Sequence, residues 1–468
     1  MTLDRDRQFT VMLAITVVLT LVFAGLVVAD LTHTHQSVQT SASGGAAVNP
    51  GGTAAPAGPQ ATAAPGANGT VAGRSATSAA PGAKAGVSVR AGGGAAVADT
   101  GHGNGQILLG SIVTTSGPGR SIPMAHAILS WVRSINQAGG INGNRINLDM
   151  RDDGGNPDTG AGEYRQFAEG EKVFAVLGEC APVTDSNQVT YVNQTHLILV
   201  GECQSSPPAY QSPYIFVTGP TPFQNGQLGA KLMLTTQNWP RSGGKVAEIC
   251  LDEAAVQSTC DGVHNYYGSG ALYGGAPIME SIAANDYADV IAKLRSAGID
   301  HVHLVIDPGS LQRYLYAAQQ QQFFVQVMNN LVTDDGVAAN PQWAQAANNM
   351  FQGTPWTPLN HTDTPGMQRL AHTVQTYYPD DRIDLYSQTG WANCLLMEHA
   401  LQLMGPNISK QSLLDTLYSI HNWDTGLGPV ENYSPQNHTG QVENWLMQLH
   451  NSGSSNWHLD EVHGQIGL

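Results

Sequence analysis

Cationic side chains are scarce in this chain: 20 Lys and Arg stand against 36 Asp and Glu over 468 residues, and only 12% of the residues are charged. The imbalance has a location. Up to residue 104 five basic residues meet four acidic ones, whereas the remainder carries 15 basic and 32 acidic side chains. A body that acidic repels phosphate backbones, so nucleic acid is not an expected partner. Catalytic signatures are missing as well. There is no GxSxG elbow, no HExxH, no Walker A run, and no GxGxxG set between a strand and a helix. Nothing therefore points to an enzyme or to a cofactor. His301 and His303 lie two apart on an expected strand and share a face, but two ligands do not make a metal site.

Charge is also absent from Phe9 to Ala29, a run of 21 residues whose hydroxyls are Thr10, Thr16 and Thr20. At a helical rise of about 1.5 Å per residue it is long enough to cross a hydrocarbon core of about 30 Å. Arg5 and Arg7 precede it, and Val27-Val28-Ala29 places small residues where a signal peptidase would cut. It reads as an uncleaved membrane anchor or as a cleaved signal. No Cys near its end would carry a lipid. In both readings residues 1–8 stay cytoplasmic and everything beyond residue 30 is outside, tethered to the cell membrane or secreted.

From residue 30 to 104 the chain has no apolar period. Ala, Gly, Pro, Ser and Thr dominate, as in Gly51-Gly52-Thr53-Ala54-Ala55-Pro56, and such a segment buries too little surface to offset its ordering entropy. It is expected to be a disordered linker with a coil span on the order of 45–50 Å.

Beyond Gly105 short apolar runs alternate with helical stretches, the pattern of parallel sheets with crossover helices. Strands are expected at Ile107–Val113, Ile146–Met150, Val173–Leu177 and Leu197–Val200. Helices are expected near Met124–Ile135, whose apolar face is Ile128, Leu129, Val132 and Ile135, near Thr159–Glu169 and near Thr184–Asn193. A second series begins with a helix near Asn225–Thr236 and the strand Lys245–Leu251. It continues through the helix Tyr287–Ala297, the strand Val302–Ile306, the helix Leu311–Gln322 and the strand Val325–Met328. Asp384–Met404 is a long apolar helix, and Asn444–Leu449 a terminal strand. Two α/β lobes fit this order.

The carrying stretches are Ile107-Leu108-Leu109-Gly110-Ser111-Ile112 with Ser116-Gly117-Pro118-Gly119, Ile135 to Gly143, Asp152 to Pro157, Val173 to Gly178, and Asp286-Tyr287 with Ile291 to Leu294 and Gly298-Ile299-Asp300. Gly390-Trp391 and Gly428-Pro429 follow. In this order they resemble the type 1 periplasmic-binding-protein superfamily, in its leucine/isoleucine/valine-binding branch. The resemblance spans residues 105–468. It implies two Rossmann-like lobes with parallel sheets and a three-crossing hinge, with crossings near Pro220–Phe223, Thr354–Pro358 and Thr425–Pro429. Lobe 1 would then comprise about 105–222 and 358–427, and lobe 2 about 223–357 and 428–468.

Outside the cell, cysteines are free to oxidise. Cys180 and Cys203 follow consecutive apolar strands, and Cys250 and Cys260 flank the first loop of the second lobe. Each pair is within reach of a disulfide worth roughly 3 kcal/mol. Cys394, between Asn393 and Leu395 in the long helix, reads as a small core residue.

In open parallel sheets, ligands bind beyond the carboxyl ends of the strands. The loops there nominate Ser116 and Ile122 after the first strand, and Asp252, Asp307 and Asp334 in the second lobe. The resemblance implies that loops after the third and fourth strands hold an α-carboxylate and α-amino group. The matching positions are Ala181, Pro182 and Thr184, then Cys203, Gln204 and Ser205. Ala181 lacks the hydroxyl expected of an amino-acid site, and acids sit where an aromatic would close the cleft, so a cationic or neutral polar solute suits the pocket better. By resemblance the chain is an extracytoplasmic solute-binding protein partnered by an ABC permease in the membrane. The rival reading is a sensing ectodomain that acts through a separate signalling partner.

Overall fold

The computed structural model describes residues 99–468, apart from 118–119, 182–184, 203–206, 238, 240–243, 282, 331–339, 349 and 452–456. The apolar segment 9–29 and most of the linker lie outside the described residues. Among the described residues no helix is long and apolar enough to cross a membrane.

The chain enters through β1 (His102–Gly103), which pairs antiparallel with the start of β2 (Gln106–Ile112). Helix α1 (Ile122–Gln137) follows, with proline in its first turn and Met124, Ile128, Trp131 and Ile135 buried on one stripe. Next come β3 (Arg145–Arg151), α2 (Pro157–Arg165) and β4 (Ala175–Glu179), then α3 (Asp185–Thr195), β5 (Leu199–Glu202) and β6 (Ile215–Phe216). The sheet runs β3-β2-β4-β5-β6, all parallel, with β1 beside the first residues of β2.

Helix α4 (Pro222–Thr236) opens the second lobe behind a capping box, in which the Thr221 hydroxyl accepts from the Gln224 N–H and the Gln224 side chain accepts from the Thr221 N–H. It leads to β7 (Ala247–Leu251), α5 (Ala254–Tyr267), β8 (Ile278–Glu280), α6 (Ala288–Ser296) and β9 (His301–Val305). Then follow α7 (Pro308–Gln320), β10 (Gln326–Asn329), the single turn α8 (Ala344–Ala347) and β11 (Phe351–Thr354). The chain then returns to the first lobe for α9 (Pro365–Tyr377), α10 (Leu385–Met404) and α11 (Lys410–Tyr418), and ends in the second with β12 (Glu443–Asn451) and β13 (Trp457–Gly467). The second sheet has the order β13-β12-β11-β10-β9-β7-β8.

One core fills the second lobe, between its sheet and helices. In the first lobe a core on one side of the sheet joins α1 to α9, α10 and α11, and a second core lies under Tyr164, Phe167 and Val192. Helix α10 is buried nearly all round. Gly390 lets it approach α1 closely, since a Cβ there would lie 2.9 Å from the Met124 carbonyl oxygen. The buried Trp131 indole N–H donates to Glu398 at 2.8 Å, and Glu398 is paired in turn with Arg369 at 2.8 Å.

Two lobes joined by three crossings are present, with two corrections. The sheets are mixed rather than parallel throughout, because β12 pairs antiparallel with β11 and β13 antiparallel with β12. The reason is positional: β12 enters from a crossing at the carboxyl edge and can only run back down the sheet. The third crossing also lies later than residues 425–429. Leu427 and Tyr433 belong to the first lobe's core, and Thr439 bridges Val217. The change of lobe therefore falls near residues 441–443, and residues 428–440 belong to the first lobe.

Cys250 and Cys260 form a disulfide with Cα atoms 6.1 Å apart, which ties the end of β7 to α5. Cys180 is also held in a disulfide; Cys203, the partner expected for it, lies outside the described residues. Cys394 is a free, buried thiol in the first lobe's core.

Candidate functional site

Strands β6 and β11 both run out into crossings, so the carboxyl ends of both parallel sets abut the hinge. The loops at those ends are the walls that can face a common cleft. The crossings are laced together. Val217 donates its N–H to the His438 carbonyl at 2.9 Å, Gly440 returns one to Val217 at 2.9 Å, and the Gln441 amide reaches the Pro355 carbonyl at 3.2 Å.

On the first lobe the loops after β2 and β3 are clamped by two aspartates. Asp152 Oδ1 accepts the N–H groups of Thr115 at 2.9 Å, Ser116 at 3.3 Å and Gly154 at 2.9 Å. The buried Asp153 Oδ1 accepts the Thr114 hydroxyl at 2.6 Å and the Gly155 N–H at 3.0 Å. Gly117, at φ 73°, completes the approach, because a Cβ there would lie 2.3 Å from the Gly154 carbonyl oxygen. Partial burial alone would raise the pKa of Asp152, but hydrogen bonds from Ser116, Thr115 and Gly154 outweigh it and hold the carboxyl well below the usual range. The clamp thus contributes fully above the ordinary carboxylate pKa and weakens as pH falls through the depressed folded value. Asp152→Ala is expected to speed amide exchange at Thr115 and Gly154 roughly tenfold, the loss of about one hydrogen bond to a charged acceptor. Unchanged exchange at both amides would show that the loops hold themselves.

The loops after β2 and β4 also meet. Val113 bridges Cys180, the Thr114 N–H donates to the Cys180 carbonyl at 3.0 Å, and Ser121 Oγ lies 3.5 Å from Cys180 Sγ. Buried Glu179 accepts the Ala181 N–H at 3.0 Å through Oε1.

On the second lobe, the register that pairs Cys250 with Val305 sets Asp252 and Asp307 level at the ends of adjacent strands. Their environments differ. Asp307 is the N-cap of α7: its carboxylate accepts from Gly309 N–H at 2.8 Å, Ser310 N–H at 3.2 Å and Ser310 Oγ at 2.6 Å, and Arg313 donates to that Oγ at 2.8 Å. Asp252 is exposed, and no side-chain hydrogen bond or ion pair holds it among the described residues. Glu280, on neighbouring β8, accepts the Asp252 N–H through its backbone carbonyl at 2.8 Å, and burial raises its carboxyl pKa, with Lys293 pulling the other way.

Behind this wall lies a buried polar network. The Asn330 amide donates to the Asn225 carbonyl at 2.6 Å, so its Oδ1 is the acceptor facing His303 Nε2 at 2.7 Å. The network therefore assigns the Nε2–H tautomer to His303, whose Nδ1 accepts the Tyr267 hydroxyl at 2.9 Å. Burial lowers the His303 pKa to about 4, so the ring is neutral. Asn444 adds a hydrogen bond to Asn225 Oδ1 at 2.7 Å. Through Asn225 and Asn444, the segments just past the first and third crossings are pinned to each other.

Of the residues nominated from sequence, Ser116, Ile122 and Ala181 are brought together at the first lobe's carboxyl edge, and Asp252 and Asp307 at the second's. Ile122 opens α1 and is 39% exposed, whereas Ala181 is fully buried and offers a ligand no side chain. Pro182, Thr184, Cys203, Gln204, Ser205 and Asp334 lie outside the described residues. The Asp307 carboxylate caps its own helix, and His301 and His303 are buried, with His303 engaged by Tyr267 and Asn330. Among the described residues no group of three His, Cys, Asp or Glu side chains could hold a metal. The clamp residues Thr114, Asp152 and Asp153 were not nominated as site residues from the sequence, although Asp-Asp-Gly-Gly after a strand is a signal for side chains that cap their own turn.

A family profile described as periplasmic binding protein matches residues 106–454. A search of curated protein sequences returns no match. Among solved structures, the fatty acid ABC transporter substrate-binding protein from Thermomonospora curvata superposes with a TM-score of 0.68 at 18% identity, covering 79% of this chain and 94% of that one. A branched chain amino acid ABC transporter structure from Thermus thermophilus with bound valine gives 0.64 at 15% identity, covering 78% and 97%. The solute binding protein of an ABC transporter from Rhodopseudomonas palustris BisB5, in complex with 3,4-dihydroxy benzoic acid, gives 0.63 at 16% identity, covering 78% and 98%. At these identities the likeness is one of fold.

Proposed function

Because this chain belongs to the periplasmic binding protein family, we propose that residues 105–468 capture a small polar solute between the two lobes and present it to an ABC permease. In this reading residues 9–29 hold the protein at the outer face of the membrane, or direct its export, and residues 30–104 tether it. The observation that carries the proposal is the pair of carboxyl-edge walls meeting at one hinge. A solute bound to one wall gains contacts from the other only when the lobes shut, so its differential affinity shifts the equilibrium to the closed form.

The proposed ligand-binding positions are Ser116, Ile122, Ala181, Pro182, Thr184, Cys203, Gln204, Ser205, Asp252, Asp307 and Asp334. Three of these bear on the ligand's chemistry. Ala181 supplies no hydroxyl for a carboxylate, Asp307 already serves its own helix, and Asp252 presents an exposed carboxylate that no side chain holds among the described residues. An amine, amide or other solute that donates hydrogen bonds fits these walls better than an acid.

A melting screen across amino acids, amides, polyamines and sugars, paired with small-angle scattering, tests the reading. A true ligand at a hundred times its Kd is expected to stabilise by about 2.7 kcal/mol, a rise of roughly 5 °C, and to reduce the radius of gyration. No shift with any compound, together with scattering profiles that never change, would remove the solute assignment.

A further inference from the structure

The second lobe carries a cavity far from the cleft. It lies at the amino end of the sheet, is lined by Phe324, Gln326, Gln345, Asn348 and Gln448 with Val325 and Ala344, and has a volume of about 680 Å³. Its origin is in the register. Phe351, the first residue of β11, pairs with Met328, so Val325 and Gln326 extend past the start of β11, while Gln448 of β12 stands opposite Phe351. The late start of β11 leaves a notch between β10 and β12, which α8 borders.

The lining is chemically uniform. Among the described residues seven line it, of which four are side-chain amides and none is charged. Gln345 is held by Gln319, whose amide donates to Gln345 Oε1 at 3.2 Å and whose Oε1 accepts the Gln345 N–H at 3.1 Å. The side chains of Gln326, Asn348 and Gln448 have no hydrogen-bond partner among the described residues. At the lip, Phe324 leaves 45% of its surface exposed beside these amides. A lipid would meet too many unpaired amides here, and a phosphate or carboxylate would meet no cation. Amides both donate and accept, which matches vicinal hydroxyls, and an exposed ring is a platform for the apolar C–H face of a pyranose.

We propose that this notch is a second binding site, separate from the cleft, for a neutral saccharide that stacks on Phe324 and hydrogen-bonds to Gln326, Asn348 and Gln448. It does not depend on what the cleft binds.

The test is saturation-transfer NMR and calorimetry on the full protein with maltose, cellobiose and N,N′-diacetylchitobiose, using wild type, Phe324→Ala, Phe324→Trp and Gln448→Glu. The expected result is saturation of at least one disaccharide by the wild type, a loss of affinity of tenfold or more in Phe324→Ala, retention in Phe324→Trp, and unchanged melting temperatures. Phe324 is half-exposed, so its truncation removes little packing; should Phe324→Ala nonetheless melt lower, the loss of binding in Gln448→Glu decides. No transfer to any of the three sugars at millimolar concentration overturns the proposal. So does binding that survives both Phe324→Ala and Gln448→Glu, because the sugar would then sit elsewhere, the cleft included. A sugar that raises the melting temperature and changes scattering identically in wild type and Phe324→Ala belongs to the cleft, which separates the two readings.

Discussion

Replacing Glu431 or Glu248 by Gln stabilises the protein at pH 8 and flattens its stability between pH 5 and 8. Glu431 is fully buried in the first lobe beside the third crossing. The Tyr433 hydroxyl donates to its Oε2 at 2.6 Å and lies 3.2 Å from the Val217 carbonyl, while Oε1 finds no hydrogen-bond partner among the described residues. Burial raises its pKa to about 8, although the Tyr433 hydrogen bond pulls the other way. Glu248 sits on β7; its Oε2 makes no hydrogen bond among the described residues and lies 3.8 Å from His264 Nδ1, and burial first, then the Asp261 carboxylate, raise its pKa to about 8 as well.

A carboxyl whose folded pKa lies above its unfolded value holds its proton more tightly in the folded state. Its full contribution is present below the unfolded pKa, near 4.5, and is lost as pH rises through the folded value near 8. At about 1.4 kcal/mol per unit, the shift from 4.5 to about 8 makes each carboxyl's contribution fall by on the order of 4 kcal/mol by pH 8. Gln keeps the shape and the acceptor for Tyr433 and cannot ionise. Denaturant titrations of wild type, both single variants and the double variant at pH 5, 6.5 and 8 measure this. Parallel profiles for all four would mean that neither carboxyl is the source of any pH dependence.

The second large effect is at Gly201, where substitution by Ala is expected to cost about 3–5 kcal/mol, a large part of a typical domain's margin. Gly201 adopts φ 82° in β5, and a Cβ would lie 2.1 Å from Cγ of Asn393 and 2.4 Å from its Cβ. Asn393 cannot yield easily, because it is fully buried in α10 and its Oδ1 accepts the Thr218 hydroxyl at 2.5 Å. Clash and left-handed strain therefore add. Asn393→Gly in the same molecule removes the clash but not the strain, so the double variant is expected to recover part of the loss, more than additivity allows. A Gly201→Ala protein with wild-type melting would show that α10 shifts freely, contrary to its packing.

Much of the architecture was legible along the chain. Strands β2, β3, β5, β7, β9 and β10 fall within a few residues of the apolar runs, because runs of Ile, Leu and Val between glycines and prolines match a sheet covered on both faces. Helices α9 and α11 and strands β11 and β13 were not singled out. Gln, Thr and His interrupt α9, and its burial comes from packing on α1. Gly426-Leu427-Gly428-Pro429 has the composition of a passage between lobes, yet it is a turn within the first, where Gly366 admits the Gly426 carbonyl.

At the candidate site, the loops were legible but the condition of their side chains was not. Asp307-Pro308-Gly309-Ser310 carries the signature of a helix N-cap and serves as one, so the clue to its role was present in sequence. Asp252 has the same charge at the same level of the sheet, yet no side chain holds it among the described residues, which depends on what surrounds it.

The sequence by itself determined the two-lobed α/β class, the acidity of the folded part and the loops at the strands' carboxyl ends. These follow from periodicity and composition, which are local properties. Only the tertiary structure decided that Glu248 and Glu431 are buried, that His303 is a neutral donor to Asn330, that the last crossing comes after Tyr433, and that β11 starts late enough to open a notch. Each depends on register and on neighbours distant along the chain, where burial sets the proton affinity of a side chain and the partners at hand decide whether its polar atoms are free to bind anything else.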